Sequence, residues 1–178
     1  MRFITFLLCF LFAIQHNKGY ELKYDQLKNQ TIASTSAIEI KLNDDYLTKS
    51  FDLKVQCIFE GVKPLDRPGS AYLVFRTLSH RWRFLEEPER QVKLWVNGMS
   101  VEISSKPTYT SVIGEKFLDE TLSYQVKMSD VEMISRASKI EIQIGGVGGQ
   151  FKDKQLNKIK EFLRNLPTSN SNSFTRQD

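Results

Sequence analysis

Apolar residues recur at every second position along much of this chain, and that period leaves few folds open. Phe51, Leu53, Val55, Cys57 and Phe59 alternate with Asp52, Lys54 and Gln56. Ile38, Ile40 and Leu42 alternate with Glu39 and Lys41, and Ile140, Ile142 and Ile144 repeat the pattern. A period of two sends successive side chains to opposite faces of an extended backbone, so each run predicts a half-buried strand. Residues 71–75 (AYLVF) are apolar on both faces, as a central strand requires.

The sharpest local signal is Asn97-Gly98, which separates two alternating runs within 91–104. Asn-Gly favours a two-residue type I′ turn because both central residues need positive φ. That turn sets Val96 opposite Met99, Leu94 opposite Val101 and Val92 opposite Ile103. On the other face Lys93 meets Glu102 and Trp95 meets Ser100, and only the pair containing Trp95 mixes apolar with polar.

Further strands are expected at 109–113 and 122–128. Another is expected around Trp82 and Phe84, flanked by Arg81 and Arg83, before a turn at Glu86-Glu87-Pro88-Glu89. Ser129-Asp130-Val131-Glu132 reads as a capping box opening a short helix to about 137. Asp153 can cap a second helix running to 166, with Leu156, Ile159, Phe162, Leu163 and Leu166 on one stripe. Pro167 stops it.

The expected fold class is therefore α+β, a largely antiparallel β-sheet of six to eight strands with a short helix and a C-terminal amphipathic helix over one face or edge. The alternative is a β-sandwich with a terminal helix.

The ends of the chain carry different information. Arg2 precedes an apolar run from 3 to 14 (FITFLLCFLFAI), the pattern of a secretory signal peptide. Twelve residues of helix reach roughly 18 Å, short of the ~30 Å hydrocarbon core. The expected organisation is a signal peptide at 1–19, a linker at 20–35, one β-rich domain at 36–166 and a disordered Ser/Asn/Thr tail at 167–178. No stable membrane span remains once the leader is removed. The chain is expected to be exported, secreted or periplasmic.

Composition narrows the function classes. With 40 % hydrophobic and 11 % aromatic residues the chain can bury a core. The net charge of +4 falls by two when Arg2 and Lys18 leave with the leader, which argues against a nucleic-acid partner. Cys9 leaves as well, so Cys57 is the remaining thiol and no intrachain disulfide can form. Its place on the apolar face of a strand makes it a small buried hydrophobe.

Polar chemistry concentrates between 76 and 90: Arg76, His80, Arg81, Arg83, Glu86, Glu87 and Arg90 surround Trp82 and Phe84. These residues, with Trp95, form the candidate contact surface for an unknown protein or glycan partner. The competing reading is an exported hydrolase using His80 with Glu86 or Glu87 as acid–base groups.

The cluster Gly145-Gly146-Val147-Gly148-Gly149 sits between a strand and a helix, yet lacks both the Gly-x-Gly-x-x-Gly and the Walker spacings. A flexible turn or glycine bulge is expected there. No metal site, cofactor or catalytic constellation is supported. Asn29-Gln30-Thr31 is an N-glycosylation sequon, meaningful only in a eukaryotic host. The chain reads as a small exported, non-catalytic binding or interaction module.

Overall fold

The computed structural model of the chain describes residues 15–17, 20–43, 50–62, 68–103 and 105–166. Of the expected leader at 1–19, residues 15–17 are described and form a strand, while the rest of it and the tail at 167–178 lie outside the described residues. Twelve strands are present among them: β1 Gln15–Asn17, β2 Tyr20–Asp25, β3 Gln30–Ser34, β4 Ile38–Lys41, β5 Ser50–Glu60, β6 Ser70–Ser79, β7 Val92–Val96, β8 Met99–Glu102, β9 Thr108–Ile113, β10 Leu118–Lys127, β11 Ile140–Ile144 and β12 Val147–Gln150. Helix α1 (Met128–Arg136) follows β10, and helix α2 (Asp153–Asn165) follows β12.

All strand pairs are antiparallel. The larger sheet runs β1-β2-β3-β5-β6-β10-β9, with β4 also on β5, and the smaller runs β12-β11-β7-β8. This is the expected α+β class, with more strands than the expected six to eight.

Four of those strands come from places where the alternation was weak or interrupted. Residues 20–35, expected as a linker, carry β2 and β3, which pair from Glu21↔Ser34 to Asp25↔Gln30. The interruption is a bulge. Strand β3 pairs Ser34 with Gln56 and β4 pairs Ile38 with Leu53, so four steps on one side match three on the other. Inward positions shift from odd (Thr31, Ala33) to even (Ile38, Ile40), and both halves face the odd residues of β5. Thr35 bridges the gap: its N–H donates to Val55 O at 3.0 Å and its hydroxyl accepts from Val55 N at 3.1 Å. The parity switch hides the period, which is why these residues read as unpatterned.

The Asn97-Gly98 hairpin forms with the expected pairing from Lys93↔Glu102 to Val96↔Met99, and both turn residues have positive φ. Val92↔Ile103 lies beyond the paired residues. The glycine cluster is a second hairpin of the same kind. Gly145 (φ 54°) and Gly146 (φ 85°) turn β11 into β12, with Ile144 opposite Val147.

Gly149 has a different duty. Leu42 bridges it, and Asn43 N donates to Gly148 O at 2.8 Å, which stitches the smaller sheet to the end of β4. A Cβ on Gly149 would lie 2.9 Å from Lys41 O and 3.0 Å from Ile40 Cγ2. Gly149→Ala is therefore expected to open this seam and cost about 1–3 kcal/mol in urea denaturation. Wild-type stability in that variant would contradict the close approach.

One hydrophobic core joins both sheets and both helices, from Phe51, Phe75 and Leu94 to Ile142, Val131 and Phe162. Helix α2 buries Leu156, Ile159 and Phe162, as its stripe predicts. It covers the outer edge of β4: Lys158 Nζ donates to Ala37 O at 3.0 Å, and Gln155 Nε2 donates to Glu39 O. Unpaired strand carbonyls thereby gain donors.

Both helix caps lie one or two residues before the expected ones. Lys127 N donates to Asp130 Oδ2 at 3.3 Å, so Asp130 closes the first turn of α1 instead of Glu132 pairing with Ser129. For α2, Lys152 is the cap residue and Gln155 Oε1 accepts from its N–H, while Asp153 is the first helical residue. Cys57 is buried, 3.8 Å from Met128 Sδ.

Candidate functional site

The segment after β6 is an irregular loop and not the strand expected around Trp82 and Phe84. Its backbone donors turn inward to a side chain. Glu120, on the inward face of β10, is fully buried and accepts from Arg83 N at 2.7 Å and Phe84 N at 3.0 Å. The Tyr109 hydroxyl donates to the same carboxylate at 3.0 Å. A carboxylate accepting three hydrogen bonds replaces the ladder a neighbouring strand would supply. Phe84 then drops into the core and stacks on Phe51, with ring centroids 5.5 Å apart and planes at 24°.

Arg90 closes the other side of the loop. It ends the single 3₁₀ turn Glu87–Arg90 and donates from Nε to Phe84 O and from Nη2 to Leu85 O, both at 2.7 Å. Its guanidinium lies 4.2 Å from the centre of the Tyr109 ring, a cation–π contact. The Tyr124 hydroxyl donates to Arg90 O. Burial pushes the Tyr124 phenol well above its usual range, so it remains a donor at all ordinary pH.

The remaining expected site residues do not all converge on this loop. His80 Nδ1 lies 2.8 Å from Lys116 O, which ties the loop to the β9–β10 turn. Glu87 lies 4.0 Å from Lys106 Nζ, both groups exposed, and Glu86 contributes its backbone N–H to Glu89 Oε2 at 3.2 Å. No hydrogen bond or ion pair joins His80 to either glutamate among the described residues. Arg81 is exposed and Arg83 half-buried.

Arg76 lies on the outward face of the larger sheet, where it grips Asp119 through three contacts of 2.6–3.1 Å. The inward-pointing Glu120 is on the opposite face of the same strand. Arg76 is thus separated from the loop it was grouped with.

Hydrogen bonding from Arg76 holds the Asp119 carboxyl below its ordinary value. A carboxyl depressed in the folded state adds stability above its unfolded value, near about 4, and loses it as pH falls through the folded value. Asp119→Asn is therefore expected to lower stability near neutral pH by at most about 1 kcal/mol, because the pair is solvent-exposed. The difference from wild type should close as pH falls below the ordinary carboxylate range, read as a Tm gap across pH. A gap that stays constant would refute the pairing.

Trp95 sits on yet another surface, the outer face of the smaller sheet, half-buried beside Glu141 and Gln143. Asn29 is exposed at the β2–β3 turn with φ 50° and accepts from the Tyr24 hydroxyl at 2.8 Å. The third sequon residue, Thr31, is buried, and its hydroxyl donates to Gly61 O at 2.7 Å.

Two residues that organise the loop, Glu120 and Tyr109, were not among the expected ones. A signal for Glu120 existed: the alternation that puts Leu122 and Tyr124 inside extends back to position 120, where it meets an acid. Among the described residues no group of three or more His, Cys, Asp and Glu side chains could hold a metal ion. Nor is any helix there long and apolar enough to cross a membrane. No protein family, characterised protein or solved structure matches this chain.

Proposed function

We propose that the protein is an exported, non-catalytic binding module of the periplasm, cell envelope or extracellular space, which meets its partner through the 81–90 loop. The observation that carries this reading is the division of labour within the loop. Its inward groups are fixed by Glu120, Arg90 and Phe51, while Trp82 and Leu85 point outward, 38 % and 55 % exposed. Phe117, 49 % exposed, belongs to the turn that His80 binds.

Large apolar groups held on a pre-ordered loop favour binding, because little conformational entropy remains to be lost on contact. Arg81, Glu86 and Glu87 would supply a polar rim around them. Export is supported by Arg2 and the apolar run that follows it.

The test compares wild type with Trp82→Ser/Leu85→Ser, each immobilised and exposed to the envelope fraction of the producing cells. A protein retained by wild type and lost from the variant, at unchanged Tm, is the expected result. Identical capture by both would overturn the loop as the contact surface. N-terminal sequencing of the exported chain should begin near Tyr20; a cytosolic chain retaining residues 1–19 would overturn export.

A further inference from the structure

We propose that the outer face of the smaller sheet is a binding site for a neutral carbohydrate, with Trp95 as its stacking platform. The site is separate from the 81–90 loop and stands or falls without it. The pairing register defines the face. Ser100, Trp95, Glu141 and Gln150 form one row across β8, β7, β11 and β12, and Glu102, Lys93, Gln143 and Gly148 form the next. Cross-strand partners point to the same side of a sheet, and here the opposite side is the buried one, occupied by Val92, Leu94, Val96, Ile140, Ile142 and Ile144.

A single large apolar side chain therefore stands among hydrogen-bonding groups. A shallow groove of about 360 Å³ runs beside it, lined by Trp95, Glu141, Gln143, Gln150 and Asn43 and floored by glycine backbone. Gly148 keeps that floor open: a Cβ there would meet only Ile142 O, at 3.9 Å.

The ligand class follows from this arrangement. A pyranose has an apolar patch of C–H groups on one face and hydroxyls around its edge. The indole offers a flat apolar surface, and amide and carboxylate groups both match vicinal hydroxyls, amides as donor and acceptor and the carboxylate as a double acceptor. The volume suits one or two sugar rings.

Charge selects a neutral ligand over an anionic one. Glu141 is paired with Lys139 at 2.7 Å, and Lys93 stands opposite Glu102, so the face carries two cations and two anions. Such a surface holds no net field for a phosphate or an acidic polymer.

The chain has only two tryptophans, Trp82 and Trp95. In Trp82→Phe the tryptophan fluorescence, excited beyond the absorption of the six tyrosines, reports Trp95 alone. Titration with β-1,4-linked glucose, N-acetylglucosamine and mannose hexaoses is expected to give a saturable change for at least one, with Kd of about 1 mM or tighter. A hyaluronan hexaose of similar length should give none.

Gly148→Thr, whose added side chain enters the groove from a strand position, should weaken the response about tenfold or more. Trp95→Ala, followed by calorimetry, should abolish it. Absence of saturation with every neutral hexaose up to about 10 mM overturns the proposal. Equal binding by Gly148→Thr, or preference for hyaluronan, overturns it too. A protein partner seated on Trp95 would show as sugar-insensitive capture lost in Trp95→Ala.

Discussion

Glu120→Ala is expected to destabilise the protein by about 3–5 kcal/mol, because one truncation strips three donors of their common acceptor. The substitution leaves Arg83 N–H, Phe84 N–H and the Tyr109 hydroxyl without the acceptor they share. Each unsatisfied buried donor costs on the order of 1–3 kcal/mol, moderated where water can reach the vacated space.

Glu120→Gln discriminates between charge and geometry. Oε1 serves Phe84 N and Tyr109 while Oε2 serves Arg83 N, so an amide can keep the first two bonds only by turning its NH₂ towards Arg83 N–H. The expected loss is about 1–3 kcal/mol. Urea denaturation measures both values, and hydrogen exchange at the Arg83 and Phe84 amides should accelerate ahead of the rest of the sheet. An alanine variant within about 0.5 kcal/mol of wild type would remove Glu120 from its anchoring role.

Phe84→Ala is the second large effect, at about 3–5 kcal/mol. Phe84 is fully buried, and truncation removes its stacking on Phe51 and leaves a cavity between the loop and β5. Phe84→Leu fills most of that volume and should cost less than half as much. Because Glu120 and Phe84 hold the same loop, the double alanine variant should lose less than the sum of the single losses. Additive losses would show that the two anchors act on separate parts of the molecule. In the binding reading, either single variant weakens the partner even where the fold survives, since Trp82 and Leu85 lose their fixed presentation.

These anchors also show what a period-two pattern can and cannot reveal. The 51–59 strand, the Asn97-Gly98 hairpin and the α2 stripe were legible because each is fixed by neighbours close in sequence: alternation, a turn pair with positive φ, spacings of three and four. Cys57 was legible for the same reason. The 20–35 segment was not, because a one-residue bulge at Thr35 exchanges odd for even and breaks the period that any window reads.

Trp82 and Phe84 alternate with arginines like a strand, yet the partner of the Phe84 backbone N–H is a side chain 36 residues further on. The candidate surface was affected in the same way. Arg76, the 81–90 loop and Trp95 are near in sequence, but the folding of two sheets distributes them over three faces.

The sequence by itself determined the antiparallel sheet class, the register of one hairpin, the buried face of α2 and the inward side of β5. All of these depend on interactions within a few residues, where side-chain period and turn chemistry are decisive. Only the tertiary structure decided that β12 is stitched to β4 through Gly149, that α2 covers an open strand edge, and that Glu120 anchors the loop. Those outcomes depend on which distant groups meet. Buried backbone donors accept any well-placed carboxylate or carbonyl, and local sequence does not specify which one arrives.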